Sequence, residues 1–133
     1  MEVKKSKIAG GVVVGNDGKI IVVSQHGTSW SLPKGRVEEN ENELETAKRE
    51  IYEESGIKDL ELVKKLGTYE RYSMGDESEL KTRTFFLFRT SEKELKPIDP
   101  ENPEAKWVEK ERVAELLTHP KDKEFFLKII NEI

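Results

Sequence analysis

The sequence predicts an α/β protein of the mixed (α+β) kind, with a mixed sheet sandwiched by helices in one domain over residues 1–133. Three observations lead there. Strand-like runs stand before and after one amphipathic helix, in the order βββαββ, and a further strand and helices follow. The length of 133 residues suffices for one core and not for two ordinary domains. No repeat, low-complexity tract or linker interrupts the pattern.

Taken in order, residues 8–14 (IAGGVVV) are β-branched and glycine-rich, and Gly15-Asn16-Asp17-Gly18 turns them into a second such run at 20–23, which predicts a hairpin. Trp30-Ser31-Leu32 reads as a short strand that Pro33-Lys34-Gly35 breaks. Asn42 with Glu45 three residues on forms a capping box, and Gly56 is a left-handed stop, so a helix is expected from about 43 to 55. Residues 60–72 alternate as a long strand, 73–79 form a polar turn, and 82–90 (TRTFFLFRT) give the strongest strand signal, predicting an antiparallel pair. Residues 91–104 are a proline-bearing acidic loop. A strand at Trp107-Val108, a helix near 111–117 and a last amphipathic helix after Pro120, carrying Phe125, Phe126, Ile129 and Ile130, complete the chain. Trp107, Phe85, Phe86 and Phe88 are expected in the core.

Composition narrows the function. The formal net charge of −4 offers no footprint for sequence-independent binding to nucleic acid or an anionic membrane. No stretch approaches a membrane span, and a soluble, cytoplasmic protein is expected, without a membrane partner or a stable nucleic-acid complex. Cysteine is absent and the two histidines, His26 and His119, are too few for a zinc centre, which leaves hard cations on oxygen ligands.

Carboxylates concentrate in one place. Residues 38–54 hold eight Glu against Lys48 and Arg49, while the remainder is slightly basic, at 21 Lys+Arg against 19 Asp+Glu. Like charges at neighbouring helix positions cost a few tenths of a kcal/mol per pair, so an uncompensated cluster suggests a bound cation. At about 100° per residue, Glu50, Glu53 and Glu54 share a face beside the apolar stripe of Leu44, Ala47 and Ile51. Three carboxylates there can converge on magnesium or manganese. Arg49 is i,i+4 to Glu53 and its fork suits holding that carboxylate, and Glu41 is placed to brace the preceding loop.

Gly35, Glu41, Arg49, Glu50, Glu53, Glu54 and Gly56, with Ile51 and Ile57 at the bulky aliphatic positions, resemble the Nudix box, G-x5-E-x7-R-E-U-x-E-E-x-G-U, at every fixed position. Seven such identities arise by chance on the order of once in 10⁸ placements, so the motif is specific. The resemblance implies a Nudix-type α/β/α sandwich with a catalytic loop-helix-loop, and Mg2+-dependent hydrolysis (Mn2+ as the alternative) of a nucleoside diphosphate linked to another group. It implies metal binding by Glu50, Glu53 and Glu54, oriented by Arg49. It leaves the general base open among Glu50, Glu53 and the loop glutamates Glu101 and Glu104, of which Glu104 is also a candidate ligand.

The box is entered through Leu32-Pro33-Lys34-Gly35-Arg36, which resembles the diadenosine polyphosphate and diphosphoinositol polyphosphate hydrolase branches. Lys34, Gly35 and Arg36 are therefore expected at the phosphates. Tyr72 lies 16 positions past Gly56, where dinucleoside polyphosphate hydrolases resemble one another in carrying a tyrosine, and Lys81 and Arg83 on the facing strand are further phosphate candidates. The expected reaction is asymmetric cleavage of diadenosine tetraphosphate to ATP and AMP. Diphosphoinositol polyphosphates, RNA 5'-ends, modified nucleoside triphosphates and a non-catalytic nucleotide-binding module are the alternatives.

Overall fold

A computed structural model describes residues 3–25, 27–73, 75–101 and 104–133; His26 lies outside them. Its seven strands, β1 (Lys4–Val14), β2 (Ile20–Gln25), β3 (Ser29–Ser31), β4 (Lys34–Arg36), β5 (Glu61–Ser73), β6 (Asp76–Arg89) and β7 (Glu104–Val108), form one mixed sheet. The order is β3-β2-β1-β6-β5, with β4 added to β1 and β7 to β2. The only parallel pair described is β1 with β6, and it is in continuous register from Lys4 opposite Glu79 to Val14 opposite Arg89. The helices are α1 (Glu43–Ser55), α2 (Val113–Leu116), preceded by a 3-10 turn, and α3 (Pro120–Ile129). No described helix is long and apolar enough to cross a membrane.

Because β1 and β2 bury both faces, their alternation feeds two cores. Ala9, Val13, Ile21, Val23 and Phe88 pack against Ala47 and Ile51 of α1. Val12, Val14, Ile20, Val22, Phe85 and Leu87 pack against Val113, Phe125, Phe126 and Ile129 on the opposite side. The expected sandwich follows directly: α1 covers one face, and α2 and α3 cover the other.

Pro33 ends the short strand as expected, since β3 stops at Ser31. One element is not foreseen by the sequence and two expectations need correction. Lys34-Gly35-Arg36 forms a further strand, β4, antiparallel to β1, with the Pro33 carbonyl accepting from Gly11 N–H at 3.1 Å and Lys7 O accepting from Val37 N–H at 3.0 Å. Proline lacks only the donor, so its carbonyl still serves the ladder. The polar segment 73–79 is mostly strand, since β6 already begins at Asp76 and Ser73 pairs with it. The helix near 111–117 is shorter, a 3-10 turn (Lys110–Arg112) running into α2.

Helix α1 is fixed at both ends. Asn42 accepts from Glu45 N–H and the Glu45 carboxylate accepts from Asn42 N–H, the capping box that the sequence implies. Upstream, the Glu41 carboxylate accepts from Thr46 Oγ1 at 2.7 Å, Glu38 N–H at 3.1 Å and Arg49 Nε at 2.7 Å. Downstream, Gly56 sits at φ 81°, and a Cβ there would stand 2.3 Å from the Lys96 carbonyl oxygen. The segment after β6 is tied to this end of the helix, as Lys96 N–H donates to Ser55 O and the N–H groups of Ile98 and Asp99 donate to Glu53 O. Orphan carbonyls of the last turn are thereby satisfied by the loop rather than by water.

Gly56→Ala is expected to lower stability by more than about 1 kcal/mol, through strain at positive φ and the Lys96 clash, measured by urea denaturation. The guanidinium of Arg49 holds the Glu41 carboxyl down to about 2. A depressed carboxyl adds stability above its ordinary value of 4.5 that is lost as pH falls toward 2. Melting temperature followed from pH 5 to pH 2 should therefore fall less steeply in Glu41→Gln than in the wild type.

Candidate active site

The box glutamates meet β4 from above. A Cβ on Gly35 would lie 1.5 Å from Glu50 Oε2, so only glycine lets that carboxylate rest against the strand. One residue earlier, Lys34 N–H donates to Glu54 Oε1 at 2.8 Å, and Glu54 is buried. Pairing of β4 with β1 thus sets the position of both carboxylates.

Arg49 orders the rest. Its Nη1 donates to both Glu53 oxygens at 3.2 Å, its Nη2 donates to Glu41 Oε1 and to the Arg36 carbonyl, each at 3.0 Å, and Glu50 and Glu38 lie at 3.6 and 3.7 Å. One cation faces four carboxylates, with Glu54 close behind. The electrostatic result appears at Glu50, whose pKa is pushed up to about 7, first by burial and then by the charge of Glu54, against the pull of Arg49.

Among the described residues no three acidic or imidazole groups already form an ion-holding cluster. The donor chemistry nevertheless fits a hard divalent ion, since Glu50, Glu53 and Glu54 offer only carboxylate oxygens and carry more negative charge than Arg49 neutralises. Glu104 does not join them. It opens β7 opposite Ser24 and alternates with Lys106 and Val108, whose contacts are with Trp30 and its core, away from α1; Ala105 and Trp107 take the α1 side. Glu101 stands closer in the chain path, in the loop that Asp99 anchors to Glu53 O.

Cations gather on the other face of the sheet. Strand alternation puts Lys34 and Arg36 of β4, Lys81 and Arg83 of β6, and Tyr69 and Arg71 of β5 on one side, with Tyr69 opposite Arg83 and Arg71 opposite Lys81. Arg36 is engaged rather than free, because its fork meets Glu79 at 2.7 and 2.9 Å. Burial lowers the Lys34 pKa, Glu54 pulls it back up, and Arg83 and Arg71 add to the fall. Tyr72 is 36% exposed and lines a pocket of about 550 Å³ with Arg71, Ser73, Gly75, Glu77, His119 and Lys121.

Two members of this face escape sequence reading. Arg71 and Asp122 are buried together, Nε to Oδ1 at 2.9 Å, and Asp122 also accepts from the Tyr69 hydroxyl. A signal for Asp122 did exist: it is an acid three, four and seven residues before Phe125, Phe126 and Ile129, on the buried stripe of α3.

Known proteins resemble this chain over most of its length. The family model for the NUDIX domain matches residues 4–129. The RNA pyrophosphohydrolase of Bartonella henselae is 31% identical over 121 residues, covering 77% of this chain and 69% of that protein. The RNA pyrophosphohydrolase of Pelagibacter ubique is 29% identical over 122 residues, covering 80% and 77%. Among solved structures, a C. elegans Ap4A hydrolase in a binary complex superposes with a TM-score of 0.78 at 21% identity, covering 96% of each chain. With a filled box on a helix seated against the sheet and a family match over nearly its whole length, the chain belongs to the NUDIX family and is a Nudix pyrophosphohydrolase.

Proposed function

We propose that this enzyme uses Mg2+, or Mn2+ in its place, to hydrolyse a phosphoanhydride in a nucleoside polyphosphate that carries another group at its far end, diadenosine tetraphosphate being the first substrate. The observation that carries this reading is the division of charge at β4: the box carboxylates lie at Gly35 and at the Lys34 amide, while the Lys34 side chain belongs to the cationic face. A polyphosphate chain requires both, metal at the cleaved linkage and cations along the remaining phosphates.

Glu50, Glu53 and Glu54 are the metal ligands in this reading, and a bound divalent ion supplies neutralisation of the phosphates and an acidified water. Arg49 is a positioning residue that aims Glu53 while braced by Glu41. Glu50, Glu53 or Glu101 takes the proton from the attacking water. Lys34, Lys81 and Arg83 face the phosphates, and Tyr72 stacks on a base at the pocket shared with Arg71 and His119. Arg36 takes part only if its pair with Glu79 opens. A second reading, the 5'-triphosphate end of RNA, is favoured by the two RNA pyrophosphohydrolase relatives.

A substrate panel separates the two readings. Diadenosine tetraphosphate, triphosphorylated RNA, a diphosphoinositol polyphosphate and a modified nucleoside triphosphate are assayed with and without Mg2+ in 18O-labelled water. ATP plus AMP as the fastest products supports the first reading; preferred pyrophosphate release from RNA replaces it with the second. Glu53→Gln and Glu54→Gln should each lower kcat by orders of magnitude with melting unchanged or raised, since Gln still accepts the Lys34 N–H and relieves repulsion. Unchanged kcat in either variant removes that residue from the metal shell. Tyr72→Ala should raise KM for the adenine dinucleotide on the order of tenfold, from loss of base stacking, and leave a non-nucleotide substrate unaffected.

A further inference from the structure

The last turn of α1 is completed by residues far ahead in the chain. In a regular helix the Glu53 carbonyl would accept from Ile57 N–H, but that donor turns to Ser55 Oγ at 3.2 Å. Ile98 N–H at 2.9 Å and Asp99 N–H at 3.0 Å take its place on this one carbonyl, and Lys96 N–H serves Ser55 O at 2.8 Å. The run that brings these donors is itself held at its start. Glu92 accepts from the N–H groups of Lys58 and Asp59 at 2.7 and 2.6 Å, Lys93 O accepts from Trp107 Nε1 at 2.9 Å, and Leu95 packs against the core under α1. Residues 92–99 therefore brace the end of the helix that carries Glu53 and Glu54.

Asp99 closes the brace and makes two contacts that matter. Its N–H holds the backbone of Glu53, whose carboxylate Arg49 aims. Its Oδ1 accepts from Glu101 N–H at 2.9 Å, a turn that sets the direction in which the chain leaves. Two residues span at most about 7 Å, so the Glu101 backbone stays within that distance of Asp99, which touches the carboxylate-bearing turn. The turn needs an acceptor atom and no charge, so asparagine would serve as well as aspartate.

We propose that Asp99 is a positioning residue for hydrolysis, joining the metal-binding turn of α1 to Glu101 and holding that glutamate where it takes the proton of the attacking water. This rests on the reading of Glu53 as a metal ligand and deepens it, because it selects Glu101 among the three candidate bases. Asp99 acts through its two neighbours and touches neither metal nor substrate.

The test uses the full-length protein with Mg2+ and the substrate that the panel finds to be turned over fastest. D99A should lower kcat at least about tenfold with KM and melting temperature unchanged, because a misplaced base is felt in turnover. D99N should keep wild-type turnover. E101Q should lower kcat further, and adding D99A to E101Q should cost nothing more, since the two residues act in one chain of contacts. A second readout needs no substrate. D99P, which lacks the N–H toward Glu53, should bind Mn2+ several-fold more weakly in titration calorimetry, while D99A matches the wild type. Equal kcat in D99A and wild type, a D99N as impaired as D99A, additive losses in D99A with E101Q, or undiminished Mn2+ affinity in D99P overturns the proposal. Wild-type kcat in E101Q overturns it too, and leaves the metal reading standing, which Glu53→Gln judges separately.

Discussion

One guanidinium holds the acidic side of the molecule together. Arg49 touches Glu53 on its own helix, Glu41 and Glu38 in the preceding loop, and the backbone of β4 at Arg36, so that three segments share a single cation. Its fork geometry matters as much as its charge, because parallel N–H groups can serve several oxygens where an ammonium would serve fewer. A lysine at this position would leave the loop and the helix competing for one point charge. The surplus of carboxylate over cation is then a built-in feature, expressed at Glu50, and it gives a hard divalent ion its electrostatic reason to bind.

The sheet separates two electrostatic environments only a strand apart. Neighbouring residues of β4 face opposite ways, so Gly35 serves the carboxylates of α1 and Lys34 serves the cations over β6 and β5. Period-two alternation, ordinarily a device for separating core from solvent, here separates a carboxylate-lined surface from a cationic one. Both environments are anchored by a salt bridge to a helix, Arg49 within α1 and Arg71 to Asp122 of α3. Both helices also fill the two cores, so packing and charge placement use the same elements.

Much of the acidic half was legible in sequence because its logic is local. Cap, stripe, carboxylate face and stop all follow one 3.6-residue period between Asn42 and Gly56, and the bounds of α1 came out as read. Three features resisted for one reason: they are decided by partners distant in sequence. A three-residue strand such as β4 has no period of its own and exists because β1 offers it a ladder. The pair of Arg71 with Asp122 joins residues 51 apart, and neither looks exceptional alone. Glu104 sits in an acidic loop when read linearly, but its pairing with Ser24 turns it away from α1.

The parallel ladder of β1 with β6 has a consequence for how the protein comes into being. It joins residues 75 apart, and such non-local pairing is slow to close because chain entropy must be lost before the contacts repay it. The hairpin of β5 and β6 has no such barrier and can form first. During synthesis β1, β4 and the whole glutamate-rich helix leave the ribosome well before Arg89, the last residue that β1 needs beside it. The glutamate-rich helix is therefore synthesised before the cationic face it works beside exists, and both faces are completed together when β6 closes on β1.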